Sequence, residues 1–279
     1  MAYQSFKPTV WAATIETDLQ EALMFAGDTN RQYEGSVKNL GDSVKILGVE
    51  RPTITTGTGS DITLSTAEAV TDSSLTLPID HFATFNYAVG DIDELQASGD
   101  IMGTLSKEST YGLAEKVDTY IASLAAHATA QKAWASAKTD VASTNILGYL
   151  DYCIQKLYEN NVPSNEQIVA TVPPWFYTVL KQALITKDTD NSELLKKGIV
   201  MMYGNCAIKM SNNVYTDGSG NSLIQVKTKK ALAFAQPKTH VEPYRPDLGF
   251  KDCLKGFVLY GATVARPKEM VVMNCKQAS

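Results

Sequence analysis

The sequence has few of the residues that usually carry chemistry. Its 279 residues include 4 cysteines and 3 histidines, with no CxxC pair and no cysteine–histidine cluster. This scatter argues against a disulfide framework or a zinc site. His81, His127 and His240 show no spacing typical of a catalytic triad or a zinc-hydrolase helix. We therefore predict no catalytic residue, no cofactor and no metal ligand, and we interpret the cysteines as buried free thiols.

Long apolar runs and basic runs are also missing. No stretch approaches the roughly 20 apolar residues of a membrane helix, and the first residues do not resemble a signal peptide. The 30 acidic and 25 basic side chains give a net charge of -5, which disfavours tight binding to nucleic acid. With 44% apolar residues the chain can bury a large core. We expect a protein made in the cytosol, with no membrane partner.

The segment from Asp91 to about His127 has the spacing of one long helix, with Asp91 as its N-cap. A narrow apolar stripe recurs one turn apart, at Met102, Leu105, Leu113, Val117, Ile121 and Leu124. Such a helix would be about 55 Å long, while a spherical domain of this chain length measures about 48 Å across. Because the helix would be longer than a spherical domain is wide, we expect a flat or elongated molecule. The alternative is that Gly99 and Gly103 divide the segment into two ordinary helices.

Strand patterns precede this helix. Residues 43–47 alternate polar and apolar side chains, and residues 75–77 and 81–85 form a second extended run. Between the two runs, residues 53–74 are rich in Thr, Ser and Gly. We predict a long hairpin with about 20 residues at its far end. A two-stranded ribbon is marginally stable alone, and long polar excursions usually bind something, so this hairpin is the first candidate for intermolecular contact.

Other segments are more ordinary. Trp11, Ile15, Leu19, Leu23 and Ala26 predict an amphipathic helix that packs on its own chain or on a neighbour. Further along we predict a helix from Ser143 or Thr144 to Asn160, a buried strand at 167–172, a helix at 175–185 and a second hairpin whose arms are 205–211 and 222–227. Strands at 255–264 and 270–273 are expected to form a sheet against the long helix.

Several short motifs, taken in order, resemble those of tailed-bacteriophage major capsid proteins of the Hong Kong 97-type fold. No single motif is specific, but their order spans nearly the whole chain. They are Phe6-Lys7-Pro8-x-x-Trp11, Asn30-Arg31-x-Tyr33-Glu34-Gly35, Gly41-Asp42-x-Val44-Lys45-Ile46, Tyr111-Gly112-Leu113-Ala114-Glu115-x-Val117-Asp118, Leu157-x-Glu159-Asn160-x-Val162-Pro163, Glu242-x-Tyr244-Arg245-Pro246 and Lys255-Gly256-Phe257-x-x-Tyr260-Gly261.

This resemblance implies an α+β fold with a long spine helix, peripheral and axial domains, an extended hairpin called the E-loop and an N-terminal arm. The implied limits are 1–38 for the arm, 39–86 for the E-loop, 87–141 and 230–279 for the peripheral domain, and 142–229 for the axial domain. No long charged helical extension precedes the arm, so assembly would need a separate scaffolding protein or none.

The resemblance also implies a function. The chain would assemble with itself into hexamers and pentamers of an icosahedral head shell around double-stranded DNA, together with a portal, in the host bacterial cytoplasm. Expected contacts between subunits, in the arm and E-loop, are Trp11, Ile15, Arg31, Tyr33, Val44, Ile46, Arg51, Leu75 and Leu77. Gly99, Gly103 and Gly112 would let the spine helix bend. The alternatives are an encapsulin-type nanocompartment shell and, from another class, a soluble α/β enzyme.

Overall fold

The computed structural model describes residues 23–34, 43–49, 56, 72–90, 101–185, 200–246 and 251–278. Its helices are α1 (Ile101–Ser123), α2 (Ile146–Glu159) and α3 (Pro174–Ile185). Its strands are β1 (Ser43–Val49), β2 (Asp72–Pro78), β3 (His81–Gly90), β4 (Gln131–Lys132), β5 (Lys138–Val141), β6 (Ile168–Val172), β7 (Val200–Tyr203), β8 (Cys206–Met210), β9 (Ser222–Thr228), β10 (Leu232–Tyr244), β11 (Lys251–Val264) and β12 (Met270–Gln277).

The strands form three sheets. β1 and β2 make a separate antiparallel ribbon, and β10, β11 and β3 make a three-stranded antiparallel sheet in that order. The largest sheet runs β4-β12-β9-β6-β8-β7, with β5 also pairing with β12. Helices together with antiparallel and mixed sheets confirm the predicted α+β class.

Helix α1 packs its apolar stripe against both larger sheets. Leu113, Val117 and Ile121 are buried in one cluster with Val258 of β11 and Val272 of β12. The helix continues without interruption from residue 101 to residue 123, through Gly103 and Gly112. At 1.5 Å per residue this part is about 35 Å long. The predicted start at Asp91 lies outside the described residues.

Helices α2 and α3 cover the other face of the large sheet. Leu150 and Leu157 of α2 and Phe176 of α3 are fully buried against the strand β6, all five of whose residues are buried. The C-terminal end of α2 follows the sequence pattern, because Asn160 caps it and Asn161 takes the left-handed conformation at φ 62° before Pro163.

The predicted second hairpin is wrong. β8 and β9 are not neighbours, since β6 lies between them and pairs with both. Residues 211–221 form a connection long enough to pass over β6, whereas a tight turn could join only neighbouring strands. The real hairpin joins β7 to β8 through Gly204, whose φ of 57° suits the first central position of a type II′ turn.

Three further boundaries differ from expectation. The second extended run ends at Pro78, and β3 pairs with β11 in a different sheet. β12 pairs with β9 in the largest sheet and not beside β10 and β11. The amphipathic pattern through Leu23 and Ala26 does not continue as a helix, because residues 23–25 are non-helical and a single 3-10 turn follows at Ala26–Asp28. The predicted domain limits stay predictions.

Candidate subunit interface

The ribbon of β1 and β2 presents one apolar face and one polar face. In its register Val44 lies opposite Leu77 and Ile46 lies opposite Leu75, which puts all four side chains on one face. Lys45 and Thr76 are exposed on the other face. This alternation sets the register, because a slip of one residue would turn the apolar side chains to water.

The apolar face of the ribbon packs on the protein's own sheet. Leu77 is completely buried and Ile46 is 9% exposed, in a cluster with Ala233, Ala235 and Leu259. Leu77 has no exposed side-chain surface in this chain, and its predicted contact with another subunit stays a prediction. Val44 and Leu75 are only half-buried and keep surface that a neighbour could cover. Their contact with another subunit stays a prediction.

The ribbon joins the body at a tight corner after Leu77. Ile79 is fully buried, and the carbonyl oxygen of Pro78 approaches Gly261 of β11 so closely that an added Cβ would lie 2.0 Å from it. Only glycine permits this approach. The ribbon is therefore held at this end, which we call its base, through Leu77 and Ile79.

Arg31 and Tyr33 lie beside this base. The segment from Asn30 runs next to β10, with the Asn30 N–H donating to the Leu232 carbonyl at 2.9 Å. The Arg31 guanidinium donates to Glu34 at 2.7 Å and lies 5.8 Å from the centre of the Phe234 ring. Tyr33 packs on the cluster that holds the ribbon. Both side chains are half-exposed, and their contact with a neighbour stays a prediction.

The remaining predicted interface residues lie outside the described part of the chain. They are Trp11 and Ile15 of the arm and Arg51 of the hairpin. Of the three spine glycines, Gly99 is also outside, while Gly103 and Gly112 lie inside a continuous helix. A Cβ added at Gly112 would meet nothing within 4 Å, so packing does not require glycine there. Flexibility at these positions stays a prediction.

A buried carboxylate fixes the end of the N-terminal arm. Asp118 of α1 is 2% exposed and accepts hydrogen bonds from the backbone N–H groups of Met24, at 2.9 Å, and Phe25, at 3.1 Å. Burial raises the pKa of Asp118 to about 6, although the backbone donors act in the opposite direction. The carboxylate replaces the helical hydrogen bonds that residues 23–25 lack.

A second polar anchor follows three residues later. The buried Asp28 carboxylate pairs with Lys209 of β8 at 2.6 Å, and the Asp28 carbonyl accepts from Lys227 of β9. Lys227 is 1% exposed, and this burial lowers the pKa of its ammonium to about 8. Sequence reasoning missed Asp28, Asp118 and Lys227 as anchors. The available signal was a lysine within an otherwise buried strand and an aspartate beside the apolar stripe of a helix.

The described residues contain no group of three or more His, Cys, Asp or Glu side chains placed to hold a metal ion. Burial raises the pKa values of Cys153, Cys206 and Cys275 to about 12, which keeps these thiols protonated at neutral pH. Within the same residues, no helix is long and apolar enough to cross a membrane.

The architecture is that of the Hong Kong 97-type capsid fold, as the motifs predicted. A structure from Mycobacterium phage Che8 is 24% identical, with 90% of each chain covered and a TM-score of 0.72. The capsid structure of the Cyanophage P-SCSP1u is 18% identical, covering 87% of this chain and 85% of that chain, with a TM-score of 0.66. A virus-like particle from Pyrococcus furiosus is 12% identical, covering 95% of this chain and 98% of that chain, with a TM-score of 0.61. No family model matches the chain, and no curated protein matches it in sequence.

Proposed function

We propose that this chain is the major capsid protein of a tailed bacteriophage, which self-assembles into the icosahedral head shell around double-stranded DNA. The observation that carries this proposal is the match of 87% of the chain to a phage capsid structure at a TM-score of 0.66. The protein would have no enzymatic role, and its location would be the virion, after assembly in the cytoplasm of the host bacterium.

The ribbon gives this proposal a physical basis. Leu77 and Ile79 hold β1 and β2 at one end, and the pair of Val49 with Asp72 is the last pair at the other end. A two-stranded ribbon buries too little apolar area to be stable far from a support. A neighbouring subunit supplies that support in a closed shell. Each subunit then contacts several others, so that weak contacts combine into a durable particle.

Charge supports the role of a container. The chain carries a net charge of -5, and packaged DNA must enter and leave without being held. Repulsion between shell and DNA is screened within about 10 Å at ordinary salt. A portal and, where needed, a separate scaffolding protein would be the other partners, and hexamers and pentamers of this chain would be the units of the shell.

The test is assembly of the purified protein, viewed by electron microscopy, with and without residues 50–71, which follow the last ribbon pair, Val49 with Asp72. Replacing these residues by an Asn-Gly turn should leave a folded monomer that forms no shell. A variant with the same 22 residues in shuffled order separates the effect of chain length from that of sequence. The E-loop role is rejected if the shortened chain forms shells of normal size. A full chain that stays monomeric under every assembly condition refutes the capsid function itself.

A second candidate is a nanocompartment shell that encloses an enzyme. The observation that favours it is the coverage of 95% of this chain by the virus-like particle from Pyrococcus furiosus. Both candidates predict closed shells, and only the contents differ. Nuclease treatment of intact and opened particles, followed by protein and nucleic-acid analysis, distinguishes protected double-stranded DNA from an enclosed enzyme.

A further inference from the structure

A cavity of about 1050 Å³ opens beside the base of the ribbon. Its walls are the segment Thr29–Tyr33, Ile46 of β1, the turn after α2 and the connection between β11 and β12. Sites for small ligands in proteins measure about 300–1000 Å³, so this cavity has room for one. The basic side chains in its walls are those of Arg31, Lys229, Lys230, Arg266 and Lys268. We call it the basic cavity.

Carboxylates neutralise only part of this charge, on a protein whose net charge is -5. Three of the five cations have an acidic partner, in the pairs Arg31–Glu34 at 2.7 Å, Arg266–Glu269 at 2.9 Å and Lys230–Glu166. Lys229 and Lys268 are exposed and have no ion-pair partner within the described residues. The pKa of the buried Lys227 is lowered to about 8, chiefly by burial and in part by the charge of Lys229. A positive field therefore remains and attracts an anion.

The rest of the lining is mostly polar. Ile46 and Val162 are only 9% and 6% exposed, so they offer little surface to the apolar side of a bound peptide. The lining also includes the Tyr33 ring and four amide side chains, those of Asn30, Gln32, Asn160 and Asn161. A DNA double helix is too wide to enter a cavity of this volume. The lining therefore favours a small ligand with a high density of negative charge.

We propose that the basic cavity binds a chain of phosphate groups, supplied as inorganic polyphosphate or as the phosphate tail of a nucleoside triphosphate. Each phosphate offers negative charge and several strong acceptor oxygens, so a short chain of them matches five cations in a small volume. The guanidinium groups of Arg31 and Arg266 suit phosphate, because they can donate two parallel hydrogen bonds. Their pairs with carboxylates are partly exposed and contribute little, so phosphate can replace those partners. The inference concerns a single chain and does not depend on the proposed function.

Bound phosphates would connect segments that are distant in sequence. Lys229 and Lys230 lie between β9 and β10, whereas Arg266 and Lys268 lie between β11 and β12. Arg31 belongs to the segment beside β10, and β1 brings the ribbon to the same cavity. Repulsion among these cations opposes their approach, and a bound anion removes it. The ligand therefore stabilises the folded chain and the base of the ribbon before any assembly.

Calorimetric titration of the unassembled chain with sodium tripolyphosphate tests the proposal. We expect saturable binding at one site per chain that weakens as sodium chloride is added. Lys229→Glu with Lys268→Glu should weaken binding at least about tenfold, and Lys229→Gln with Lys268→Gln should weaken it less. Neither double variant removes an ion pair among the described residues, so both should unfold at the same temperature as the unchanged chain.

The matched control is Lys107→Glu with Lys181→Glu. It changes the net charge equally, at exposed residues of α1 and α3 that do not line the cavity, and it should bind as the unchanged chain does. An equal loss of binding in this control overturns the proposal, because the effect would then come from net charge alone. Absence of saturable binding at about 1 mM tripolyphosphate overturns it as well.

Comparison of ATP, tripolyphosphate and adenosine identifies the source of the phosphates. ATP that binds at least tenfold more tightly than tripolyphosphate assigns the cavity to a nucleotide, whose base Tyr33 and the amides can contact. A smaller difference assigns it to the phosphate chain alone. Adenosine that binds as tightly as ATP overturns the proposal, as does a 20-base-pair DNA duplex that binds more tightly than tripolyphosphate.

Hydrogen exchange locates the bound anion. Tripolyphosphate should slow exchange in residues 29–33 and 265–269, which form opposite parts of the cavity wall. Binding that leaves exchange unchanged in both segments places the anion elsewhere and overturns the proposal.

Discussion

Gly261→Ala tests the corner where the ribbon meets the body. The added Cβ would lie 2.0 Å from the Pro78 carbonyl oxygen and 2.9 Å from Ile79 Cδ1. An ordinary contact is at least 3.4 Å, so the backbone at Pro78 must move by more than 1 Å. Overpacking of this kind costs about 1–3 kcal/mol. The movement also uncovers part of Leu77 and Ile79, and we expect a total loss of about 2–4 kcal/mol in the free energy of unfolding.

Urea unfolding of the unassembled chain measures this loss, with Gly148→Ala as the matched control. Gly148 is exposed on α2 and a Cβ there meets nothing within 4 Å, so the same chemical change should stabilise the chain by about 1 kcal/mol through helix propensity. Hydrogen exchange should show faster exchange in residues 72–80 of Gly261→Ala. The close approach at the corner is refuted if Gly261→Ala unfolds at the same urea concentration as the unchanged chain while Gly148→Ala unfolds later.

Three more substitutions have definite signs. Gly112→Ala should stabilise the unassembled chain by about 1 kcal/mol through helix propensity. If the spine helix must bend at Gly112, electron microscopy of this variant will show fewer or irregular shells, and normal shells would exclude that role. Leu77→Ala should cost about 2–5 kcal/mol in urea unfolding, whereas Thr76→Ala, exposed on the same strand, should change stability by no more than about 0.5 kcal/mol. The pKa of Asp118 is raised from 3.8 to about 6, so the folded chain binds a proton at this carboxyl more tightly than the unfolded chain does. Proton binding at Asp118 therefore stabilises the fold fully below pH 3.8, and this stabilisation is lost as the pH rises through about 6. The loss between pH 5 and 7.5 should be on the order of 1 kcal/mol, absent in Asp118→Asn and kept in Glu115→Gln; an unchanged pH dependence in Asp118→Asn would assign the effect elsewhere.

Sequence patterns predicted the elements whose apolar spacing is regular. The stripe of α1 is buried at Leu113, Val117 and Ile121, as a period near 3.6 requires. The apolar run 168–172 is a fully buried strand, and α2 and α3 lie within a few residues of their expected ends. In each case the local pattern and the tertiary packing demand the same structure.

Local sequence patterns did not show which distant strands pair with each other. The run of turn residues at 217–220 is typical of a hairpin, yet β6 is inserted between β8 and β9. The polar anchors were hidden for a related reason. Asp118 and Asp28 are buried because they bind backbone and side-chain groups about 90 and 180 residues away in sequence, and nothing in their local spacing shows those partners.

The alternating side chains of β12 tie the two main cores to a single strand. Met270 and Val272 belong to the cluster around α1, whereas Val271, Met273 and Cys275 belong to the cluster beneath α2 and α3. β12 follows every other described strand in the sequence, so it is synthesised after them. Neither cluster is complete before that moment. Because both clusters share this strand, we expect the two to melt together rather than one after the other.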